Sequence, residues 1–314
     1  MGCFFSGICN KYFNLVYFNY FLPLHKQTIL ESKSIKFIDI LNNLLGIILF
    51  IYILLPVMWL IFSSFKSPEL LYTTPVSYLF EPSFDGYFEL FDDGSHVSQV
   101  TAPWRILIGN SLIISLSTAI IVVFFASFAG YAFARIDFPG RDYILGGLLV
   151  SRMFQGAALL IPTYQLIAYL DLYDTKLALI LLYSAFGIPF ATWICASGLK
   201  EIPKELEEAA YVDGASKIKT IIFVIFPLAI PTFITAGLWI FVGAWSEFAF
   251  ASVLIDSSSN KTATLGLVNL NDQFSASFDR VGAAAVLISI PILVLFSFGQ
   301  KYFQKGLLAG SIKG

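Results

Sequence analysis

Runs of about 20 apolar residues recur along this chain, each long enough for a helix to cross the roughly 30 Å hydrocarbon core of a bilayer. They are continuous rather than alternating, so they do not read as barrel strands. Helices remain, because within lipid they alone satisfy every backbone N–H and C=O inside one segment. Of 314 residues 57% are hydrophobic and 13% charged, about half the charged share of a soluble domain. The expected class is an all-α integral membrane protein with six transmembrane helices. The spans fall at Leu44–Phe62, Ile106–Ala132, Tyr143–Leu170, Leu177–Ser197, Pro227–Leu254 and Val281–Phe303.

Sidedness follows from Lys and Arg, which favour cytoplasmic segments. With the amino terminus inside, thirteen fall inside (Lys11, Lys26, Lys33, Lys36, Arg135, Arg141, Lys200, Lys204, Lys217, Lys219, Lys301, Lys305, Lys313). Five fall outside (Lys66, Arg105, Lys176, Lys261, Arg280), and Arg152 lies within a span. Both termini are therefore expected in the cytoplasm of a multi-pass cell-membrane protein. The segments Ser63–Trp104 and Asp256–Arg280 would face outward, long enough to fold partly and touch a soluble partner. The first forty residues form an aromatic extension (Phe4, Phe5, Tyr12, Phe13, Tyr17, Phe18, Tyr20, Phe21) with the interfacial preference of such rings. A helix on the inner membrane surface is the preferred reading; a seventh span or a misassigned start are its alternatives.

Several functions are disfavoured. A net charge of −2 argues against a nucleic-acid partner. Cys3, Cys9 and Cys195 lack metal-ligand spacing, and Cys195 reads as a small apolar residue inside a span. His25 and His96 are isolated, so neither a metal site nor a catalytic dyad is expected. No G-x-x-x-x-G-K-[ST] phosphate loop occurs, so ATP and its Mg would have to be bound by another subunit. No enzymatic activity and no cofactor is expected of this chain.

The most informative polar stretch is Glu208-Ala209-Ala210-Tyr211-Val212-Asp213-Gly214, with Val224-Ile225-Phe226-Pro227 after nine residues. It lies between apolar segments and must face water. Pro203 is well tolerated in a helix's first turn, so Lys204–Val212 reads as a short helix with Glu205, Glu207 and Glu208 near its start. Ala209 and Ala210 keep that helix thin. Gly214 permits a positive φ and a sharp turn into a second helix over Ala215–Phe226.

This E-A-A, three residues, G pattern resembles the EAA loop of permease subunits in binding-protein-dependent ABC importers. Two further stretches resemble carbohydrate-uptake permeases: Tyr131-Ala132-Phe133-Ala134-Arg135 with Phe138-Pro139-Gly140-Arg141, and the tail Gly306-Leu307-Leu308-Ala309-Gly310-Ser311-Ile312-Lys313-Gly314. The tail is similar to that of the maltose-type second permease, with Leu308 where that family has Thr. The resemblance covers about two thirds of the chain, from Ile106 onward. It implies a core permease domain over 106–305, preceded by a first helix and external loop over 41–105 and followed by a cytoplasmic tail over 306–314. It also implies a second related permease, two ATPase subunits and an extracytoplasmic sugar-binding protein as partners. Glu208 would pair with the ATPase, Ala209 and Ala210 would pack in its cleft, Gly214 would make the turn, and Glu207 and Asp213 would assist. Gly306, Leu308 and Gly310 would reach the ATPase as well.

Ionisable groups inside a membrane are costly and point to function. Arg152, beside Gln155, falls in the third expected span, and Glu247 in the fifth, within Trp245-Ser246-Glu247-Phe248. They could face one another as a structural gate pair or touch the solute. Asn110, Trp245, Tyr164, Gln165, Trp193 and Trp239 are further candidates for a polar translocation path, since sugar rings stack on aromatics while their hydroxyls need partners. Prolines 56, 162, 189, 231 and 291 suggest bends. A sugar phosphate, polyol or other small solute is the nearer rival cargo. A secondary transporter without an ATPase is the remoter rival, lacking coupled ion ligands and leaving the Glu208 loop unexplained.

Overall fold

The computed structural model describes residues 32–71, 73, 77, 79–92, 102–154, 157–271 and 278–311. The aromatic amino-terminal segment and Gln155 lie outside the described residues. Each regular element among them is helical, as expected of this class. The chain divides into two units, Met1–Met58 and Trp59–Gly314. The described part of the first is the leading portion of α1 (Ser32–Ser63), which exposes Phe50, Tyr52 and Ile53 as a lipid-facing helix does.

The second unit is built around α4 (Trp104–Arg135) and α7 (Lys176–Glu201), which pack along much of their length. In lipid, water exclusion does not drive helices together, so close van der Waals contact between small residues has to. A Cβ added to Gly130 of α4 would come 2.6 Å from Cys195 Cβ and 2.9 Å from the Ala196 backbone nitrogen of α7. Cys195 is fully buried there, the small apolar role expected of it. α11 (Ile230–Trp245) closes the core against α4, α7 and α14 (Phe278–Ser311), with Val122, Ala126, Ala191, Ala236 and Ile240 at the centre.

At the Trp104 end, the segments between spans are folded rather than loose. α2 (Pro68–Leu71), α3 (Asp85–Phe91) and α13 (Ala263–Asn271) interrupt them, and Leu90, Trp104, Leu107 and Ala263 share one apolar cluster. Lys66 is buried with its ammonium 5.2 Å from the ring centroids of both Trp59 and Phe80, and it donates to Ser77 O at 2.7 Å. Ring faces and a carbonyl replace the water that a buried cation loses. Arg280 and Glu89 form an ion pair at 2.5 Å that ties the start of α14 to α3.

Among the described residues four helices are long and apolar enough to cross a membrane, and a fifth span forms if Lys217–Leu228 and Ile230–Trp245 are counted together across their 72° bend. Two of the six expected spans therefore differ from the sequence reading. The third, Tyr143–Leu170, is not one helix: α5 (Arg141–Ser151) ends in a tight 3-10 turn at Arg152–Phe154, and α6 (Ala157–Tyr169) starts afresh. The fifth starts earlier and stops sooner than Pro227–Leu254. Pro227 and Pro231, without N–H groups, sit in the first turns on either side of the bend, and the chain breaks again after Trp245 before α12 (Ala249–Leu254). Hydropathy sees neither break, because it averages over side chains and does not record whether the backbone stays helical.

Candidate functional site

The first site is the projecting element beyond α7. α8 (Glu205–Val212) follows Pro203, and its carbonyl end is closed by Gly214 at φ +82°. Ala215 N donates to Ala210 O at 2.9 Å and Gly214 N to Tyr211 O at 3.0 Å. That is the Schellman closure, in which a left-handed residue satisfies the last carbonyls and any L side chain would be strained. α9 (Lys217–Thr220), a π turn at Ile221–Ile225 and α10 (Phe226–Leu228) then lead back to α11. The expected pair of short helices joined at Gly214 is the observed arrangement.

The two neighbouring glutamates of α8 face opposite ways. Glu208, Ala209, Asp213 and Gly214 are exposed, and Ala210 is half-buried. Val212 and Ile218 expose 87% and 69% of their surface, so the tip carries apolar groups beside charged ones. Glu207 instead is buried, which differs from its expected place beside an ATPase. Its Oε1 lies 2.6 Å from Arg135 Nε, and Tyr131 Oη donates to its Oε2 at 3.0 Å. Arg135 also donates from Nη2 to Ile202 O at 2.5 Å, at the foot of α8. Tyr131 and Arg135 are four apart, hence on one face of α4. The Tyr131–Arg135 stretch and the Glu208 loop, read in sequence as two separate motifs, are thus two halves of one buried clamp. The signal for it was available: a Tyr and an Arg one helical turn apart, and two adjacent glutamates that cannot share a face.

The second site is a cavity of about 140 Å³ lined by Thr118, Arg152, Tyr183, Gly187, Trp239 and Glu247, among others. Both ionisable span residues singled out in sequence reach it, and each sits at a helix break. Glu247 accepts from Tyr183 Oη at 2.5 Å, from Phe250 N at 2.9 Å and from Ala251 N at 3.2 Å. Its carboxylate thereby caps the start of α12 and fastens it to α7, while its backbone carbonyl accepts from Thr264 Oγ1 at 2.9 Å. The Arg152 guanidinium lies 5.0 Å from the centroid of the Phe190 ring. Phe190 stacks with Trp193 at 5.9 Å and meets Trp239 at 5.5 Å, and both tryptophans are exposed.

Other candidates have packing roles. Asn110 is buried and donates to Ser259 O and Lys261 O at 2.8 and 2.9 Å, pinning α4 to the segment before α13. Trp245 is buried, stacked on Phe241, and donates to Ile288 O at 3.1 Å. Neither lines the cavity. Tyr164 packs edge-on against Tyr173 at 5.6 Å, and Gln165 is exposed. Gly306, Leu308 and Gly310 fall in the helical end of α14, where only the backbone is described.

Asp174, missed in sequence, braces this region from the α6–α7 turn. In left-handed conformation (φ +58°), its Oδ1 accepts from Asp256 N and Ser257 N, both at 3.0 Å, and its carbonyl accepts from Asn260 Nδ2 at 2.6 Å. Burial pushes its pKa up, but the hydrogen bonds from Ser257, Asp256 and Asn260 outweigh that and hold it below the ordinary value.

Long apolar helices around a shared core, two broken segments meeting at an internal cavity and a projecting helix–turn–helix together define a polytopic transport subunit. The family model of the inner membrane component of binding-protein-dependent transport systems matches residues 29–308, and the chain belongs to that family. It is a non-catalytic permease subunit. Among its relatives is the galactooligosaccharides transport system permease protein GanQ of Bacillus subtilis (strain 168), 33% identical over 286 residues, which are 90% of this chain and 99% of that one. Another is the trehalose transport system permease protein SugB of Mycobacterium tuberculosis (strain CDC 1551 / Oshkosh), 33% identical over 267 residues, 84% of this chain and 93% of that one. The fold matches a chain in the crystal structure of a bacterial ABC transporter involved in the import of the acidic polysaccharide alginate, with a TM-score of 0.71 at 19% identity, covering 90% of this chain and all of that one.

Proposed function

We propose that this chain is one half of the membrane channel of an ATP-driven importer of carbohydrate, an oligosaccharide such as a malto-oligosaccharide or a related sugar. A second, related permease supplies the other half. Two ATPase subunits bind ATP and Mg and drive the cycle, and a sugar-binding protein outside delivers the cargo. Both termini lie in the cytoplasm, in keeping with the Lys and Arg bias, and so does the Glu208 element. The observation that carries the reading is that element: a short helix that exposes Glu208 and Ala209 and is closed by Gly214 at φ +82°, rooted by a buried ion pair in the core. Relatives named for galactooligosaccharide and trehalose transport support the cargo class.

Glu208, Ala209, Ala210, Asp213 and Gly214 form the surface that engages the ATPase, and Gly306, Leu308 and Gly310 add a second contact from the tail. Glu207 acts behind that surface rather than on it. A push on the tip reaches α4 through the Glu207–Arg135 pair, so the core turns with the tip instead of the loop yielding alone.

The test is a pull-down of the tagged chain from detergent-solubilised native membranes, with partners identified by mass spectrometry. Recovery of an ATPase and a second permease is expected, and Glu208→Lys should lose the ATPase while the chain still inserts. Recovery of the chain alone, or normal sugar uptake by Glu208→Lys at equal expression, would sink the coupling role.

A further inference from the structure

We infer that the groove between the end of α1, α2 and the start of α14 is a lipid site, and that it holds one acyl chain of a membrane phospholipid. Nothing in this depends on which solute is imported, only on the chain's spanning a bilayer. A cavity of about 420 Å³ opens there, lined by Trp59, Leu60 and Ser63 of α1, Leu71 of α2, and Phe278 and Val281 of α14. Trp59 to Ser63 close the apolar span Asn42–Ser63, and Phe278 to Val281 begin the span Phe278–Gly299. The cavity therefore lies at the same end of two spans, level with the membrane boundary. By the Lys and Arg bias that end is the outer one.

The helices touch at one edge of this space. A Cβ added to Gly282 would come 3.1 Å from the Ser64 backbone, just past α1. Beside that contact they do not close, and the gap is walled by rings and aliphatic chains. Ser63 is the only hydroxyl among the lining residues, and it donates to Trp59 O at 2.8 Å. A water would want roughly two to four polar partners, which such a wall does not offer. Lys66 and Arg280, the cations nearest in sequence, do not line it: Lys66 is held by Ser77 O and two rings, Arg280 by Glu89. The groove is thus built for hydrocarbon and leaves a charged headgroup outside.

Volume alone does not select the occupant; the medium against the groove does. Trp59, Leu60 and Phe62 expose 46%, 37% and 50% of their surface, part of the face that α1 presents to lipid. The cavity is a recess in that face, so acyl chains already stand at its mouth. Left empty, it would forfeit dispersion contacts along its whole wall, and a flexible chain without polar groups restores them. An acyl chain there completes the packing of α1 and α2 against α14, the helix that in turn packs against the bent span at α11.

The experiment uses the whole complex in detergent, with p-benzoylphenylalanine in place of Phe278 in the cavity wall or of Tyr52, a control 74% exposed on the open face of α1. After repeated detergent exchange the protein is illuminated and the intact chain weighed. An adduct of one phospholipid should persist at Phe278 and vanish at Tyr52. Phosphatidylethanolamine and phosphatidylglycerol should be retained in proportion to their supply, because the chain and not the headgroup is held. Leu60→Trp with Leu71→Phe, which fills the cavity, should lower the retained adduct about tenfold, equivalent to roughly 1.4 kcal/mol of weaker binding. Equal loss at both positions overturns the site, as does a cross-link from Phe278 to another part of this chain or to a second protein. Retention of one headgroup alone overturns recognition through the acyl chain. An undiminished adduct in a filled complex that assembles normally places the lipid elsewhere and also overturns it. If the filled complex does not assemble, the contrast between Phe278 and Tyr52 decides.

Discussion

The Arg135 end of the core and its middle each place an arginine and a glutamate inside one helical bundle, and they handle the charges in opposite ways. At the Arg135 end the pair is in contact, buried on both sides and supplemented by Tyr131 and the Ile202 carbonyl. In the middle, Arg152 and Glu247 stand in the wall of a cavity, one beside the Phe190 ring and the other gripped by Tyr183 and two backbone amides. A buried ion pair in contact resists separation and suits a joint that must transmit force. Charges arrayed around a space leave room for something to enter. The difference teaches that an ionisable residue in a span is a functional signal only once its partner is known.

The sharpest way to break the comparison is to remove one half of the clamp. Glu207→Ala leaves Arg135 buried and uncompensated, which should destabilise the chain by about 3–5 kcal/mol. Thermal unfolding of the purified complex would register it, whereas Glu208→Ala, one residue away, should leave the melting temperature nearly unchanged and reduce uptake. Glu207→Ala combined with Arg135→Met should cost less than the sum of the single losses. Strict additivity would mean the two residues do not act as a pair.

Smaller effects test the rigidity of the same end and the grip on Glu247. Gly130→Val would force α4 and α7 apart at Cys195 and Ala196, and overpacking of this kind costs about 1–3 kcal/mol. A normal melting temperature for this variant would show that the interface can give. Tyr183→Phe removes one of the three donors to Glu247 and should cost about 1.5–3 kcal/mol, the range for a hydrogen bond to a charged group. A loss well under that, read by the same unfolding measurement, would mean the amides of α12 hold Glu247 on their own.

The smallest expected effect is at Asp174, which fixes the segment after α12 from the turn before α7. Its folded pKa lies below the ordinary 3.8, so its contribution is fully present above that value and is lost as pH falls through the folded pKa. Hydrogen exchange at the Asp256 and Ser257 amides should therefore lose protection only below about pH 4. Asp174→Asn, which tolerates the same left-handed backbone, should start with weaker protection and show no such pH step. Equal profiles in the two proteins would remove the carboxylate from the account.

Much of the molecule was legible because its physics is local. Apolar runs identified four of the helices that pass the length and hydropathy test, and the pattern from Pro203 to Gly214 yielded α8 and its closure before any contact was known. The breaks at Arg152 and after Trp245 were illegible, since a residue's hydropathy does not record whether its backbone stays helical. Asn110 and Trp245 looked like pathway residues for a related reason. A polar or aromatic side chain in a span has either a packing partner or a cavity, and only the neighbouring helix decides which. Gln155 and the aromatic amino-terminal segment lie outside the described residues.

The chain's composition and order alone determined that this is a helical membrane protein with a polar helix–turn–helix before its penultimate span. Crossing a bilayer demands long apolar runs, and a left-handed turn demands a residue such as Gly214. Tertiary structure alone decided that Glu207 turns inward to Arg135 while Glu208 turns outward. It also decided that Arg152 and Glu247, 95 positions apart, share one cavity. Those outcomes depend on which faces of distant helices meet. A charge inside a membrane is stabilised by whatever stands within a few ångströms of it, however far away in sequence that neighbour lies.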